Sequence, residues 1–159
     1  MTKLSAFTKD NLNEQGFGIL DDDAKARYAL PLRFTPAVAV ILIVIGLAMR
    51  SPIWIGAMSS VALSGALFPR WMAIDLVYDL VVRHFFDAAA LPATPTPRRF
   101  SYIISTVFLA ASALSFHFGC AVLGFILGGV VVIGATILAT SLWCLQSWYY
   151  RLLFKHTAA

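Results

Sequence analysis

Four blocks of the chain, Thr35 to Met49, Pro52 to Phe68, Ser101 to Phe116 and Cys120 to Tyr150, contain no Asp, Glu, Lys, Arg or His. Such a block has no polar face to turn toward water, which excludes a surface helix of a soluble domain. A hydrocarbon core about 30 Å thick takes roughly 20 helical residues to cross. The first three blocks lie at the short end of that range and the last exceeds it. At 60% hydrophobic residues, the chain also exceeds the roughly 45–50% of ordinary soluble domains. The blocks predict membrane helices.

They also pair. Pro31-Leu32-Arg33-Phe34 leads into one block, a break at Arg50-Ser51-Pro52, and a second block. Pro97-Arg98-Arg99-Phe100 leads into the third block, a break around His117 and Gly119, and the fourth. Ile55-Gly56 then lines up with Leu123-Gly124, and Tyr78-Asp79-Leu80-Val81 with Tyr150-Arg151-Leu152-Leu153. Self-similarity at a long period points to a repeated unit. The expected fold is all-α, with four transmembrane helices as two tandem helical hairpins, joined by an interfacial amphipathic helix and a Pro-rich linker. The expected divisions are a polar cytoplasmic arm at 1–30, a first hairpin at 31–69, the amphipathic helix and linker at 70–97, and a second hairpin at 98–159 with a cytoplasmic C-terminus.

Met1 to Asp23 reads as an arm that is flexible or ordered by a partner, with Asp23 as the expected cap of a short helix over Ala24–Leu30. It has no apolar core of the signal-peptide kind, so an uncleaved first helix is expected. Between Arg70 and Ala90, Asp75, Asp79, Arg83 and Asp87 recur every fourth residue, opposite Trp71, Ile74, Val77, Tyr78, Val81 and Phe85. That pattern predicts a helix lying in the headgroup layer. Of the 12 Lys and Arg residues, only Arg50 falls on the far side of the expected bundle. The asymmetry predicts cytoplasmic termini in a bacterial inner membrane, and it accounts for the basic balance without nucleic acid.

Small residues recur at four-residue steps: Gly56, Ser60 and Ser64 in the second block, and Gly124, Gly128, Thr136, Thr140 and Cys144 in the fourth. Such stripes let membrane helices approach closely, and their sharper reading is a narrow polar pore lining. Arg33, Trp54, Trp71, Arg98, Arg99, Trp143, Trp148, Tyr149, Tyr150 and Arg151 are the expected interface anchors. His84 and His117 fall on opposite faces of the expected topology, so they do not jointly hold a haem, and no cofactor or metal is expected. Cys120 and Cys144 lie near opposite ends of one expected helix, roughly 36 Å apart, too far to pair. Cys144 is read as a packing residue, with a reactive thiol as the alternative.

The order of a PxRF-type start, a membrane hairpin, Leu67-Phe68-Pro69-Arg70, a Pro-rich segment and the closing run Cys144-Leu145-Gln146-Ser147-Trp148-Tyr149-Tyr150-Arg151-Leu152 resembles the bacterial membrane family termed domain of unknown function 4395. The resemblance covers about Leu30 to Phe154. Many members close on a Cys-x-Gly-Cys type motif; Cys144 stands at its first cysteine, and Ser147 stands in place of the second. The resemblance implies a membrane fold and hints at thiol or sulfur chemistry. A dithiol cycle, however, needs a second sulfur.

Three functional readings follow. The absence of ionisable residues inside the blocks disfavours ion-coupled transport, because such groups mark the pathway. The first expectation is therefore a non-catalytic accessory or assembly subunit, in lipid, packed against other membrane subunits or its own copies through the arm and the Arg70–Ala90 helix. The second is a small-solute transporter, including for a sulfur species, lined by Ser60, Ser64, Thr136, Thr140 and Cys144. The third is a thiol-redox protein using Cys144.

Overall fold

The computed structural model describes residues 5–29, 31–68, 72–82, 94–144 and 149. The expected junction at Pro69, the anchors Trp71, Trp148, Tyr150 and Arg151, the polar-strip residues Arg83 and Asp87, and His84 lie outside the described residues.

Helix α1, Ala6–Leu12, starts at Ser5, whose hydroxyl accepts from the Thr8 amide. A wide turn follows over Asn13–Phe17, with Gly16 at φ 97°. No other residue fits there, because a Cβ at Gly16 would stand 2.7 Å from Pro95 Cβ and positive φ is costly for side-chain-bearing residues. Helix α2, Asp22–Tyr28, is capped by the Asp21 carboxylate on the Ala24 amide at 2.7 Å. The expected cap, Asp23, sits inside the helix instead. Three consecutive aspartates each fit a cap, and the first of them takes the role.

Helix α3, Pro31–Ala48, begins on a proline whose missing N–H is harmless in a first turn. The chain turns at Arg50 (φ 49°), and Ser51 caps α4, Pro52–Leu67. Trp54 locks this turn by donating its indole N–H to the Leu42 carbonyl at 2.8 Å. A short α5, Ala73–Val77, runs into a wide turn at Tyr78–Val82. Helix α6, Thr96–His117, turns at Gly119 (φ 79°) into α7, Ala121–Ser141. Leu142 ends α7 in the left-handed conformation at φ 53°.

Among the described residues, three helical stretches are long and apolar enough to cross a membrane: Asp22–Ala48, Thr96–His117 and Ala121–Ser141. This corrects the expectation of four spans. Helix α4 has only 16 residues, roughly 24 Å at the α-helical rise, against a core of about 30 Å. It stops because Phe68 is extended at ψ 103°, the conformation imposed on a residue before proline, here Pro69.

The two-hairpin arrangement is corrected as well. Helix α4 packs most extensively on α6, α6 also on α7, and α3 on α7, whereas α3 and α4 touch far less. The halves interlock, so neither is a self-contained unit. In the expected amphipathic segment, the described helix is confined to α5 and its turn. The end of the Pro-rich segment starts α6, with Pro95 as its N-cap and Pro97 in its first turn.

One core cluster, Ile43, Ile55, Met58, Met72, Ile74, Leu109 and Val131, fills the bundle. A second, Leu12, Phe17, Leu32 and Leu142, joins the arm to the end of α7. The arm adds polar clamps: Asn11 donates to the Ser141 carbonyl at 2.8 Å and Gln15 to the Leu142 carbonyl at 2.5 Å. These are helix-end carbonyls that α7 cannot satisfy itself. The arm is thus ordered by its own chain. The outward faces carry Ile41, Val44, Ile103, Val107, Ile126 and Ile133, all exposed. Together with the long apolar helices, such a belt marks a membrane-associated helical bundle.

Candidate functional site: a polar end in the bundle cavity

The bundle holds a partly open cavity of about 70 Å³. Ile43, Met58, Leu109 and Val131 make its apolar part, and Thr35, Arg98, Ser101, Tyr102 and Cys144 make a polar end. Helical phase explains the latter. In α6, Arg98, Ser101, Tyr102, Ser105, Leu109 and Ser112 follow three- and four-residue steps, so they share one stripe. That stripe faces inward: Arg98 is 4% exposed and Ser112 is fully buried. Arg99, one step round the helix, points elsewhere and donates from Nε to the Ala66 carbonyl at 2.8 Å, closing the C-terminus of α4.

Arg98 meets a break in α3. Pro36 has no N–H, so the Leu32 carbonyl lacks its helical donor. The Arg98 guanidinium approaches that oxygen at 3.4 Å. On the same face of α3, Thr35 donates its hydroxyl to the Asp75 carboxylate of α5. Beyond Leu142 the chain folds back, which brings Cys144 Sγ to 3.0 Å from Ser101 Oγ. The Tyr102 phenol lies against the Arg98 guanidinium, yet among the described residues its hydroxyl has no geometric hydrogen-bond partner, and neither has Arg98 Nε.

Burial pushes the Asp75 carboxyl above the usual carboxylate range, against the opposing pull of Arg98 and of the Thr35 hydroxyl. A folded-state carboxyl that holds its proton more tightly than the unfolded chain contributes stability at low pH. That contribution is lost as pH rises through the raised folded value. Asp75→Asn keeps the Thr35 contact and removes the charge. It is therefore expected to flatten the stability profile from the ordinary carboxylate range upward and to raise stability once the pH passes the raised folded value. Denaturant unfolding in lipid nanodiscs across that range measures it; a variant profile parallel to the wild type would contradict the assignment.

The residues expected to pack or line a pore divide. Gly124 and Gly128 are buried at helix contacts, against the Phe116 ring and Leu47 respectively. Gly56 is half-buried opposite Ala113. Ser60, Thr136 and Thr140 are exposed and return their hydroxyls to Gly56, Val132 and Thr136 carbonyls of their own helices. Ser64 bonds to the Val61 carbonyl. From that list only Cys144 borders the cavity. It stands past the end of α7 rather than on it.

Among the expected anchors, Trp54 is 39% exposed and Tyr149 is 55% exposed. Trp143 is half-buried, as is Arg33, whose Nε is enclosed without a partner. His117 is exposed at the end of α6, and Cys120 is exposed where α7 begins. Among the described residues, no group of three His, Cys, Asp or Glu is placed to hold a metal ion. Sequence reasoning missed Arg98, Tyr102, Asp75 and Thr35 as a group, although the inward stripe of α6 could have been read from its spacing.

No curated protein and no solved structure matches this chain. A family model does match, across residues 30–155, which takes in all of α3 to α7 and the cavity between them. The chain belongs to the family described as Domain of unknown function (DUF4395).

Proposed function

We propose that the protein binds a small polar solute inside the membrane and carries it across, using the cavity bordered by Arg98 and Cys144. The carrying observation is that a buried arginine, Arg98, lines a cavity in an apolar bundle, with the half-buried carboxylate of Asp75 close by on a second segment. Such groups are expensive to keep in a membrane and mark pathways. The accessory-subunit reading rested on the absence of ionisable groups from the apolar blocks, on the small-residue stripes, and on the arm and the Arg70–Ala90 helix as docking surfaces. The arm is engaged with Ser141 and Leu142 of its own chain. A thiol-redox role for Cys144 lacks a second cysteine beside it, since Cys120 is exposed at the opposite end of α7. The basic residues support an orientation with the Arg98 end toward the cytoplasm.

Liposomes containing the full chain with Cys120→Ser, challenged with iso-osmotic small solutes, test the proposal. At least one solute is expected to swell them several-fold faster than protein-free liposomes. N-ethylmaleimide is expected to slow that entry, and Cys144→Ala to remove the inhibition. Entry no faster than in empty liposomes across the panel would refute it. A stoichiometric partner retained through mild extraction would return the weight to the accessory reading.

A further inference from the structure

Two hydrogen-bond donors at the polar end of the cavity have nothing to donate to. Arg98 Nε and the Tyr102 hydroxyl are both enclosed and unpartnered, and both residues line the cavity. Among the described residues, the nearby side-chain acceptors are engaged elsewhere. The Asp75 carboxylate receives the Thr35 hydroxyl and forms no ion pair with Arg98. Ser101 Oγ and Cys144 Sγ bond to each other. If the Tyr102 oxygen accepted from Arg98, the phenolic proton would still lack an acceptor. A buried donor left unmet costs about 1–3 kcal/mol, and more when charged. Two of them on one cavity wall define a place for an acceptor.

We propose that this end of the cavity is a receptor for one small oxyanion, a carboxylate or inorganic oxyanion, that accepts from Arg98 Nε and the Tyr102 hydroxyl. The inference rests on the solute-binding reading and names its ligand class. Charge-assisted bonds from a guanidinium suit an oxyanion geometrically as well as electrostatically. An ammonium ligand is disfavoured, since it would bring further donors to a wall already short of acceptors. Size limits the choice. A cavity of about 70 Å³ is less than half the volume of one that takes benzene, roughly 150 Å³, so a few heavy atoms fill it. The neighbouring Met58 and Leu109 suit a short alkyl group, as in acetate.

The test uses the full chain in phosphatidylcholine nanodiscs, with thermal unfolding followed against acetate, nitrate and neutral acetamide at constant ionic strength. Acetate or nitrate is expected to stabilise the protein saturably, and acetamide to have no effect. Tyr102→Phe removes only an unmet hydroxyl, so it is expected to fold as well as the wild type while binding the anion roughly tenfold more weakly or worse. Arg98→Gln is expected to abolish the response. A detergent-solubilised sample with short-chain phosphatidic acid distinguishes sources. Stabilisation by that lipid but by no free anion would support the oxyanion receptor and place the oxyanion on a headgroup. Stabilisation by acetamide alone would overturn the anion class and leave solute binding intact. No response to any probe would overturn both. An anion response unchanged in Tyr102→Phe would overturn the assigned contacts.

Discussion

Gly124→Ala is expected to destabilise the protein by about 1–3 kcal/mol, the usual range for overpacking a close contact. The added Cβ would stand 2.7, 2.8 and 2.9 Å from three ring carbons of Phe116. That ring is not free to swing aside, because Phe125 holds it edge-on at 5.1 Å. The backbone is fixed too, since Ser112 donates to the Gly124 carbonyl at 2.7 Å. Helix propensity works the other way, favouring alanine by about 1 kcal/mol, so a net loss has to come from the clash. Gly129→Ala isolates the propensity effect, as nothing lies within 4 Å of its added Cβ. It is expected to be neutral or stabilising by up to about 1 kcal/mol. Gly128→Ala falls between, because its Cβ meets the flexible end of Leu47. Reversible unfolding in mixed micelles ranks the three. Gly124→Ala unfolding together with Gly129→Ala would remove the close α6–α7 contact from the account of the fold.

Helix positions were largely legible, because a membrane helix announces itself through uninterrupted apolar residues. Helix neighbours were not. Lipid is as apolar as the helix surfaces, so pairing depends on shape, and shape is settled by contacts such as Gly56 opposite Ala113 and Gly128 beneath Leu47. The two PxRF-type starts do share a local meaning. Pro31 and Pro97 both lie in the first turn of a long helix, and the next residues, Leu32 and Arg98, are both buried, at 2% and 4% exposure. The same inward position thus holds a leucine in one helix and a guanidinium in the other. Counting charges for orientation treats Arg98 and Arg99 alike, and only helical phase sends one into the cavity and the other to the end of α4. The arm was misread for a related reason. Asn11 and Gln15 look like solvent-facing polar residues until the open carbonyls at the end of α7 are set beside them.

Arg98→Met is expected to produce a loss of about 1–3 kcal/mol, the range for leaving a buried polar group without its partner, and more where the stranded group is charged. Two groups are left stranded. The Leu32 carbonyl, already deprived of a helical donor by Pro36, loses the guanidinium that approaches it. Asp75, held in place by Thr35, loses the cation whose field favours its ionised form. Desolvation falls on the charge more than on the carbonyl, so most of the loss is assigned to Asp75. The double variant Arg98→Met/Asp75→Asn is therefore expected to recover more than half of it, giving a coupling energy that a double-mutant cycle measures directly. Arg98→Lys keeps the charge but not the fork, and is expected to lie between the wild type and Arg98→Met. The sign of the coupling decides the charge state. Strong recovery in the double variant means that Asp75 is ionised beside Arg98. Simple additivity means that burial keeps it protonated, in which case the guanidinium charge is uncompensated within the site and an incoming anion is its counter-charge.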